Sequence, residues 1–459
     1  MPRFDWLKMK GREDEERIIS DTNRNTSAIG TMEVAKGLGT ITTGIFIVGE
    51  MAGTGVLALP RAIVDAGWFG LPLIIIAAIM SAYTGVVLGR CWTIIKDRFP
   101  EKYTGHTRYP YPAIGFEAYG KIGSYIVTFC VNATLFGVST VFLLLAASNM
   151  ELLVERGFSF CYWLPIIAAC LIPLTWFGTP KDFWPVAIGA MAATSIACIL
   201  LFIQIMTEIH DYPDTTHTSP SFVSFFVAFG TIIFAFGGHA AFPTIQHDMR
   251  DPKSFPKSIA LAYSIIVVMY FPVAAAGYFV YGDLFITMNT DYILDIIYKG
   301  VIHKIVTIMI LLHLVFGFVI VINPLCQQLE EALHIPLQFS WKRMIIRTLV
   351  VGLVLFTGET IPHFGAILSL VGGSTVTFLT FVFPSLFYLR LLYGGSHKDS
   401  IDDSGSRRLA IHHKVIHAEI ILVGVLGGVA STYSVIYSIA SGQSQFTVPC
   451  YVNITAAHL

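Results

Sequence analysis

The chain has 459 residues, of which 54% are hydrophobic and only 13% are charged. A soluble protein carries about 25% charged residues, so the composition predicts an integral membrane protein. The net charge of −1 offers no basic surface for nucleic acid, so a nucleic-acid partner is not expected. The seven cysteines show neither Cys-x-x-Cys nor Cys/His ligand spacing, and we therefore expect no metal site and no cofactor.

The chain order gives two tails around an apolar domain. Residues 1–33 are polar and predict a cytoplasmic tail without a cleavable signal peptide. Eleven apolar segments follow, each long enough for a spanning helix of about 20 residues. Numbered 1 to 11, they cover residues 36–65, 68–92, 121–149, 161–179, 184–208, 220–247, 257–281, 302–331, 343–358, 361–391 and 415–440. This predicts an all-α transmembrane domain over 34–440 and a second tail at 441–459.

The positive charges decide the predicted orientation. With a cytoplasmic N-terminus and one crossing per segment, 25 of the 29 lysines and arginines lie on the cytoplasmic side. This bias predicts an odd number of spans and an outer or lumenal C-terminal tail. Asn453 in that tail begins an Asn-x-Thr sequence, which predicts glycosylation. Cys161 and Cys450 lie near the outer face, where they either form a disulfide or pack as small apolar residues.

Segment 1 is interrupted in its middle, where residues 45–61 read I-F-I-V-G-E-M-A-G-T-G-V-L-A-L-P-R. Glycine and proline weaken a helix, and a carboxylate is costly at membrane depth. A bilayer tolerates unpaired backbone only where protein or a water-filled cavity covers it. The break therefore predicts a binding site, with Gly49, Glu50, Gly53, Thr54 and Gly55 as its candidate residues.

Segment 6 is also interrupted, at Gly237, Gly238 and His239, with Phe236 just before the break. Paired breaks in corresponding segments are typical of an inverted-repeat transporter, and a spacing of five segments makes the two halves run in opposite directions. Free N–H groups at residues 53–55 suit a carboxylate, and freed carbonyls near Gly237 suit an ammonium group. Among small amphoteric or anionic solutes, an amino acid is therefore the expected substrate.

These motifs resemble the amino acid/auxin permease family. Residues 53–70 (G-T-G-V-L-A-L-P-R-A-I-V-D-A-G-W-F-G) are similar to the family's first helix, and residues 234–256 (F-A-F-G-G-H-A-A-F-P-T-I-Q-H-D-M-R-D-P-K-S-F-P) to its sixth helix and the following loop. Residues 362–375 and 383–392 resemble the tenth helix of the vesicular inhibitory amino acid branch, whereas the Gly238-His239 pair resembles the plant lysine/histidine-type branch. The resemblance implies a LeuT-like 5+5 inverted repeat with an appended helix, and secondary amino acid transport driven by protons or sodium.

The resemblance also bears on the coupling ion. Sodium-coupled relatives usually carry an asparagine just before the Gly-x-Gly motif, whereas residues 49–52 here are Gly-Glu-Met-Ala. In the LeuT-like plan a sodium ion also needs oxygen ligands from segment 8, which has no serine or threonine between Thr307 and Asn323. Protons are therefore the favoured coupling ion, with Glu50 and His239 as candidate carriers.

Each candidate residue also has a structural interpretation. Glu50 exchanges the coupling proton, contacts the substrate amine, or is a structural carboxyl bonded to the unwound backbone. His239 either relays protons or caps freed carbonyls. Asn132 in segment 3 either faces the substrate or bonds another helix, and Phe236 either closes over the substrate or packs in the core.

The leading hypothesis is a proton-coupled symporter or exchanger of neutral amino acids that works by alternating access. The alternatives are a sodium-coupled symporter and an amino acid sensor of the same fold with little flux. An enzyme is not expected, because no nucleophile, base or metal groups converge in the sequence. His313 is interpreted as a satisfied core residue and Glu330 as a solvated one. The plasma membrane and an endolysosomal or vesicular membrane both fit, and no partner beyond the substrate and the bilayer is indicated.

Overall fold

A computed structural model describes residues 37–103, 107–154, 158–176, 184–336, 339–393, 411–441 and 449–452. The predicted cytoplasmic tail over 1–33 and the predicted glycosylation site Asn453 lie outside these residues. Within them the regular structure is helical, apart from one isolated bridge between Leu38 and Met249. The predicted all-α architecture is confirmed.

The helices follow the predicted segments in order. Segments 1 to 5 are formed by Thr40–Met51 with Gly55–Ala66, Gly70–Arg98, Pro110–Leu153, Phe160–Trp176 and Trp184–Thr207. Segments 6 to 9 are formed by Phe222–Ala235 with Phe242–His247, Phe255–Tyr281, Val301–Ala332 and Trp341–Thr360. Segment 10 runs from Phe364–Val371 through π-helical turns at Gly372–Val376 and Phe378–Val382 to Phe383–Tyr393, and segment 11 is Ile411–Ala440.

Seven helical stretches in the described ranges are long and apolar enough to cross a membrane. Three shorter apolar helices accompany them, and two of these, Thr40–Met51 and Phe222–Ala235, are the first halves of the broken segments. The total of eleven crossings stays a prediction.

Segment 3 begins earlier than predicted. Its helix starts at Pro110, a residue that favours the first turn of a helix. The helix then kinks at Tyr119 and Gly120, where Gly120 has a φ of 68°. The predicted start at residue 121 is therefore the first residue after the kink.

The two broken segments lie at the centre of the packing. Both halves of segment 1 pack against segment 7, its first half also packs against segment 5, and its second half packs against segment 6. Segment 8 packs on segments 3 and 5, and segment 11 packs on segments 6 and 10. Each break is therefore enclosed by protein, as irregular backbone at membrane depth requires.

The loop between segments 7 and 8 is packed onto the second half of segment 1. Tyr292 and Leu294 of this loop are buried. The Arg61 guanidinium donates hydrogen bonds to the carbonyl oxygens of Phe285 (2.8 Å) and Thr290 (3.1 Å). The loop is thus attached to the helix that follows the first break.

Main-chain hydrogen bonds join the start of segment 1 to the loop after segment 6. The Leu38 amide donates to the Asp248 carbonyl, and the Arg250 amide donates to the Leu38 carbonyl, both at 2.9 Å. The Ser258 hydroxyl of segment 7 donates to the Thr40 carbonyl at 2.8 Å. We call the Leu38 pairing with residues 248–250 the backbone joint.

A buried ion cluster links segments 4, 8 and 9. Arg347 donates from Nε to Glu330 Oε1 (2.5 Å) and from Nη1 to Asn323 Oδ1 (3.0 Å) and the Thr175 carbonyl (2.6 Å). Arg343, one turn away, places its Nε 3.2 Å from the same carboxylate oxygen. Glu330 is 0% exposed, so its interpretation as a solvated residue is wrong. Two arginines neutralise this carboxylate, which a buried charge requires.

Cys161 and Cys450 form a disulfide with their Cα atoms 5.3 Å apart. The Cys450 amide also donates to the Glu359 carbonyl at 2.9 Å, and the ring of Tyr451 stacks on Phe356. Residues 449–452 are therefore fixed on segments 4 and 9, and the disulfide alternative for this pair is the one observed.

Candidate substrate site at the two helix breaks

The two breaks lie against each other. A Cβ atom added to Gly55 would lie 2.7 Å from the Cβ of Ala235, the last residue of the first half of segment 6. A Cβ atom added to Gly238 would lie 2.6 Å from Cγ of Met51, the last residue of the first half of segment 1. Only glycine fits at either position, and the ends of both broken helices meet there.

The first break leaves amides unpaired. At the end of the first half of segment 1, the Ala52 amide donates a hydrogen bond to the Val48 carbonyl at 2.6 Å. Thr54 precedes the second half in a helical conformation, and its side chain caps no amide. Within the described residues, the amides of Thr54 and Gly55 donate no hydrogen bond. These amides form the positive end of a half-helix, which attracts anions.

Glu50 lies at the opposite kind of helix end. It is half-buried in the last turn of Thr40–Met51, where the helix dipole is negative. Its carboxyl group makes no hydrogen bond or ion pair with any residue that the structure describes. The interpretation as a carboxyl bonded to the unwound backbone therefore has no bond to support it. A carboxyl in this position favours binding a proton or a cation.

The second break leaves a carbonyl unpaired. Helical structure resumes after the break, where the Ala241 amide donates a hydrogen bond to the Gly238 carbonyl at 3.1 Å. The Phe236 carbonyl accepts a hydrogen bond from the Tyr263 hydroxyl at 2.9 Å. The Gly237 carbonyl accepts none from the described part of the chain. Phe236 itself is 0% exposed, which favours its interpretation as a residue packed in the core.

His239 is buried and bonded to segment 2. Its Nε2 lies 3.1 Å from the Thr84 hydroxyl, which donates in turn to the Met80 carbonyl at 3.0 Å. We therefore assign the proton to Nε2, which leaves Nδ1 as an unpartnered acceptor. The imidazole does not cap the carbonyls of its own break, so that interpretation is wrong.

The structure does not join Asn132 to the breaks. Asn132 is half-buried and its Oδ1 has no hydrogen-bond partner in the described ranges. Its neighbour Thr134 instead bonds Thr375 through their hydroxyls at 2.7 Å, which ties segment 3 to segment 10. Residues 49–55 and 236–239 meet where the breaks contact each other, and no described hydrogen bond connects Asn132 to them.

Three residues at the breaks were not assigned to the site from the sequence. The Tyr270 hydroxyl accepts from the Gly53 amide (3.0 Å) and donates to the Met51 carbonyl (3.2 Å). Tyr263 bonds the second break, as described above. His313 lies against Gly53, with Nδ1 3.3 Å from the Ala190 carbonyl and Nε2 unpartnered. The sequence signal for the two tyrosines is weak: a buried tyrosine hydroxyl usually finds a hydrogen-bond partner, but the sequence does not show which one.

Two broken helices that meet at their breaks, five segments apart in the chain, define a transporter of LeuT-like fold. Residues 36–437 match the family described as transmembrane amino acid transporter protein. The chain belongs to this family of amino acid transporters. It is an integral multi-pass membrane protein and not an enzyme, and the resemblance seen in the sequence is confirmed.

The chain is similar to plant amino acid transporters. It is 24% identical over 404 residues to amino acid transporter AVT1D of Arabidopsis thaliana, a match that covers 85% of this chain and 68% of that protein. It is 26% identical over 421 residues to amino acid transporter ANT1 of the same plant, covering 86% and 91%. The crystal structure of MhsT in complex with L-phenylalanine aligns with a TM-score of 0.56 at 10% identity, over 87% of this chain and 99% of that one. The structural likeness shows the fold alone.

Proposed function

We propose that this protein moves neutral amino acids across its membrane by proton-coupled alternating access. The contact between the two breaks carries the proposal. This contact brings together the segments that carry the unpaired amides of Thr54 and Gly55, the carboxyl of Glu50 and the unpaired carbonyl of Gly237. Amides at a helix N-terminus suit the substrate carboxylate, and the carbonyl and carboxyl oxygens suit its ammonium group.

The charges near the breaks support a neutral side chain on the substrate. Glu50 is the only Asp, Glu, Lys or Arg within residues 45–60, and residues 230–247 contain none. A charged substrate side chain would be desolvated there without an ion-pair partner, which costs free energy. An apolar or small polar side chain carries no such cost.

The groups around the first break support a proton as the coupling ion. Segment 8 presents the imidazole of His313 to Gly53, and it has no serine or threonine between Thr307 and Asn323 whose hydroxyl could bind sodium. Glu50 is the first candidate to carry the proton, because its carboxyl is unpaired at the negative end of a helix. His239 is the second candidate, through its unpartnered Nδ1.

Uptake into proteoliposomes tests this function. Labelled neutral amino acids are supplied under an imposed pH gradient and, separately, under a sodium gradient, for wild type, Glu50→Gln and Glu331→Gln. Glu331 is an exposed carboxylate paired with Arg108, so its variant is the matched control. We expect uptake driven by the pH gradient, lost in Glu50→Gln and retained in Glu331→Gln. Uptake that needs sodium and survives Glu50→Gln would overturn the coupling assignment.

The membrane orientation is part of the proposal. A disulfide between Cys161 and Cys450 suits an oxidising compartment, which supports an outer or lumenal position for these residues. The N-terminus is then cytoplasmic, in either the plasma membrane or an endolysosomal membrane. An N-terminal epitope tag that antibody does not reach in intact cells, but does reach once the plasma membrane alone is permeabilised, would agree with this orientation.

An amino acid sensor is the second candidate, and the backbone joint favours it. Leu38, which follows the N-terminal tail, is hydrogen-bonded to residues 248–250, shortly after the second break. A structural change at the breaks on substrate binding would thus be transmitted to the tail. Substrate binding without flux under either gradient would support the sensor over the transporter.

A further inference from the structure

Segment 7 reaches both breaks through two tyrosines. Tyr263 and Tyr270 are seven residues apart on the helix Phe255–Tyr281, so they lie on one face, two turns from each other. The Tyr270 hydroxyl bridges Gly53 and Met51 of the first break, and the Tyr263 hydroxyl bonds Phe236 of the second. Both tyrosines are buried.

The ring of Phe236 connects these two contacts. Its centroid lies 6.4 Å from the ring of Tyr263, in a stacked arrangement, and 6.1 Å from the ring of Tyr270. The position of the second break is therefore fixed against the same helix face that holds the first. A displacement of either break relative to segment 7 would separate these rings.

The two hydroxyls also decide which backbone groups remain for a ligand. Tyr270 occupies the Gly53 amide, so the free donors of the first break begin at Thr54. Tyr263 occupies the Phe236 carbonyl, so the free acceptor of the second break is Gly237. The sequence analysis included the Gly53 amide among the donors to a carboxylate. In the structure the free donors begin one residue later, at Thr54.

We propose that Tyr263 and Tyr270 are positioning residues that fix the separation between the carboxylate-binding and ammonium-binding ends of the substrate site. This inference rests on the proposed function. Because Tyr270 holds the first break and Tyr263 the second, segment 7 sets where the Thr54 amide lies relative to the Gly237 carbonyl.

The same helix supplies a matched control. Tyr278 is also buried on segment 7, but its hydroxyl has no hydrogen-bond partner among the described residues. Replacement of each tyrosine by phenylalanine keeps the ring and removes only the hydroxyl. Tyr278→Phe thus measures the effect of a lost hydroxyl on this helix away from the breaks.

The test is initial-rate uptake in proteoliposomes for wild type, Tyr263→Phe, Tyr270→Phe and Tyr278→Phe. Each variant is assayed with a labelled neutral amino acid, and the corresponding amino acid amide, which lacks the carboxylate, serves as a competitor. Thermal unfolding in detergent is followed in parallel. For Tyr270→Phe we expect KM to rise about tenfold, the factor that corresponds to the loss of ~1.4 kcal/mol of hydrogen bonding.

The preference for the amino acid over its amide should also fall in Tyr270→Phe, because the amides that bind the carboxylate lose their fixed position. Tyr263→Phe should raise KM in the same way, and Tyr278→Phe should match wild type. A purely structural role would lower the unfolding temperature and the amount of folded protein without changing KM or the preference, and would overturn this inference. Failure of the wild type to take up any amino acid would instead overturn the proposed function.

Discussion

Removal of the buried carboxylate at Glu330 should destabilise the protein strongly. Glu330 is 0% exposed and forms ion pairs with both Arg343 and Arg347. Glu330→Gln keeps the size of the side chain and removes its charge. The Arg347 guanidinium, 1% exposed, would then lose the carboxylate to which its Nε donates.

The magnitude follows from the cost of an uncompensated buried charge. Breaking a buried ion pair by removing one partner costs about 3–5 kcal/mol. An exposed pair such as Arg108 with Glu331 contributes only about 0–1 kcal/mol. In a chain of this length, the larger loss corresponds to a fall in unfolding temperature on the order of 5 °C.

Tryptophan fluorescence during a thermal ramp in detergent measures this fall. We expect Glu330→Gln to unfold at a temperature well below that of wild type. Glu331→Gln should unfold at the same temperature as wild type. Addition of Arg347→Gln to Glu330→Gln should recover part of the loss, because it removes one of the two opposed cations. Equal melting of Glu330→Gln and wild type would refute the reasoning, since it would mean that the cluster is hydrated or that the arginines find other partners.

Three further outcomes are expected. Gly53→Ala should abolish uptake because the added methyl group collides with the His313 ring, and the double variant with His313→Ala should recover part of the uptake in the same proteoliposome assay. Reduction of the disulfide between Cys161 and Cys450 should lower the unfolding free energy by roughly 2–4 kcal/mol and should expose two thiols to maleimide labelling. Burial raises the pKa of Asp295, in the loop between segments 7 and 8, from 3.8 to about 6. Its protonated form therefore stabilises the folded loop below pH 3.8, and this contribution is lost as pH rises through 6. Hydrogen exchange of residues 283–300, corrected for its intrinsic pH dependence, should be slower at pH 5 than at pH 7.5, and Asp295→Asn should remove the difference.

The sequence was sufficient to locate the two breaks and the fold they imply. Gly53 and Gly238 interrupt apolar segments at which a helix would otherwise continue, and the sequence shows that interruption directly. The spacing of five segments indicated that the two halves run in opposite directions. These features depend on local backbone chemistry and on chain order, and both can be read from a single sequence.

The partners of the breaks were not legible in the sequence. Tyr270 bonds Gly53 across 217 residues of chain, and a tyrosine in an apolar helix has the same pattern whether its hydroxyl meets backbone or nothing, as Tyr278 shows. Glu330 was misassigned for a related reason. Its neutralising arginines lie on the next segment, and only the packing of segment 9 on segment 8 brings them to it.

The backbone joint has a consequence for which substitutions the chain tolerates. Its two hydrogen bonds use the amide and carbonyl of Leu38, the carbonyl of Asp248 and the amide of Arg250, and no side chain takes part in them. The two bonds therefore do not depend directly on which side chains stand at these positions, whereas proline at 38 or 250 removes a donor and breaks one of them. Mutational scans confined to alanine would pass over this connection, and proline at these two positions is the substitution that reveals it.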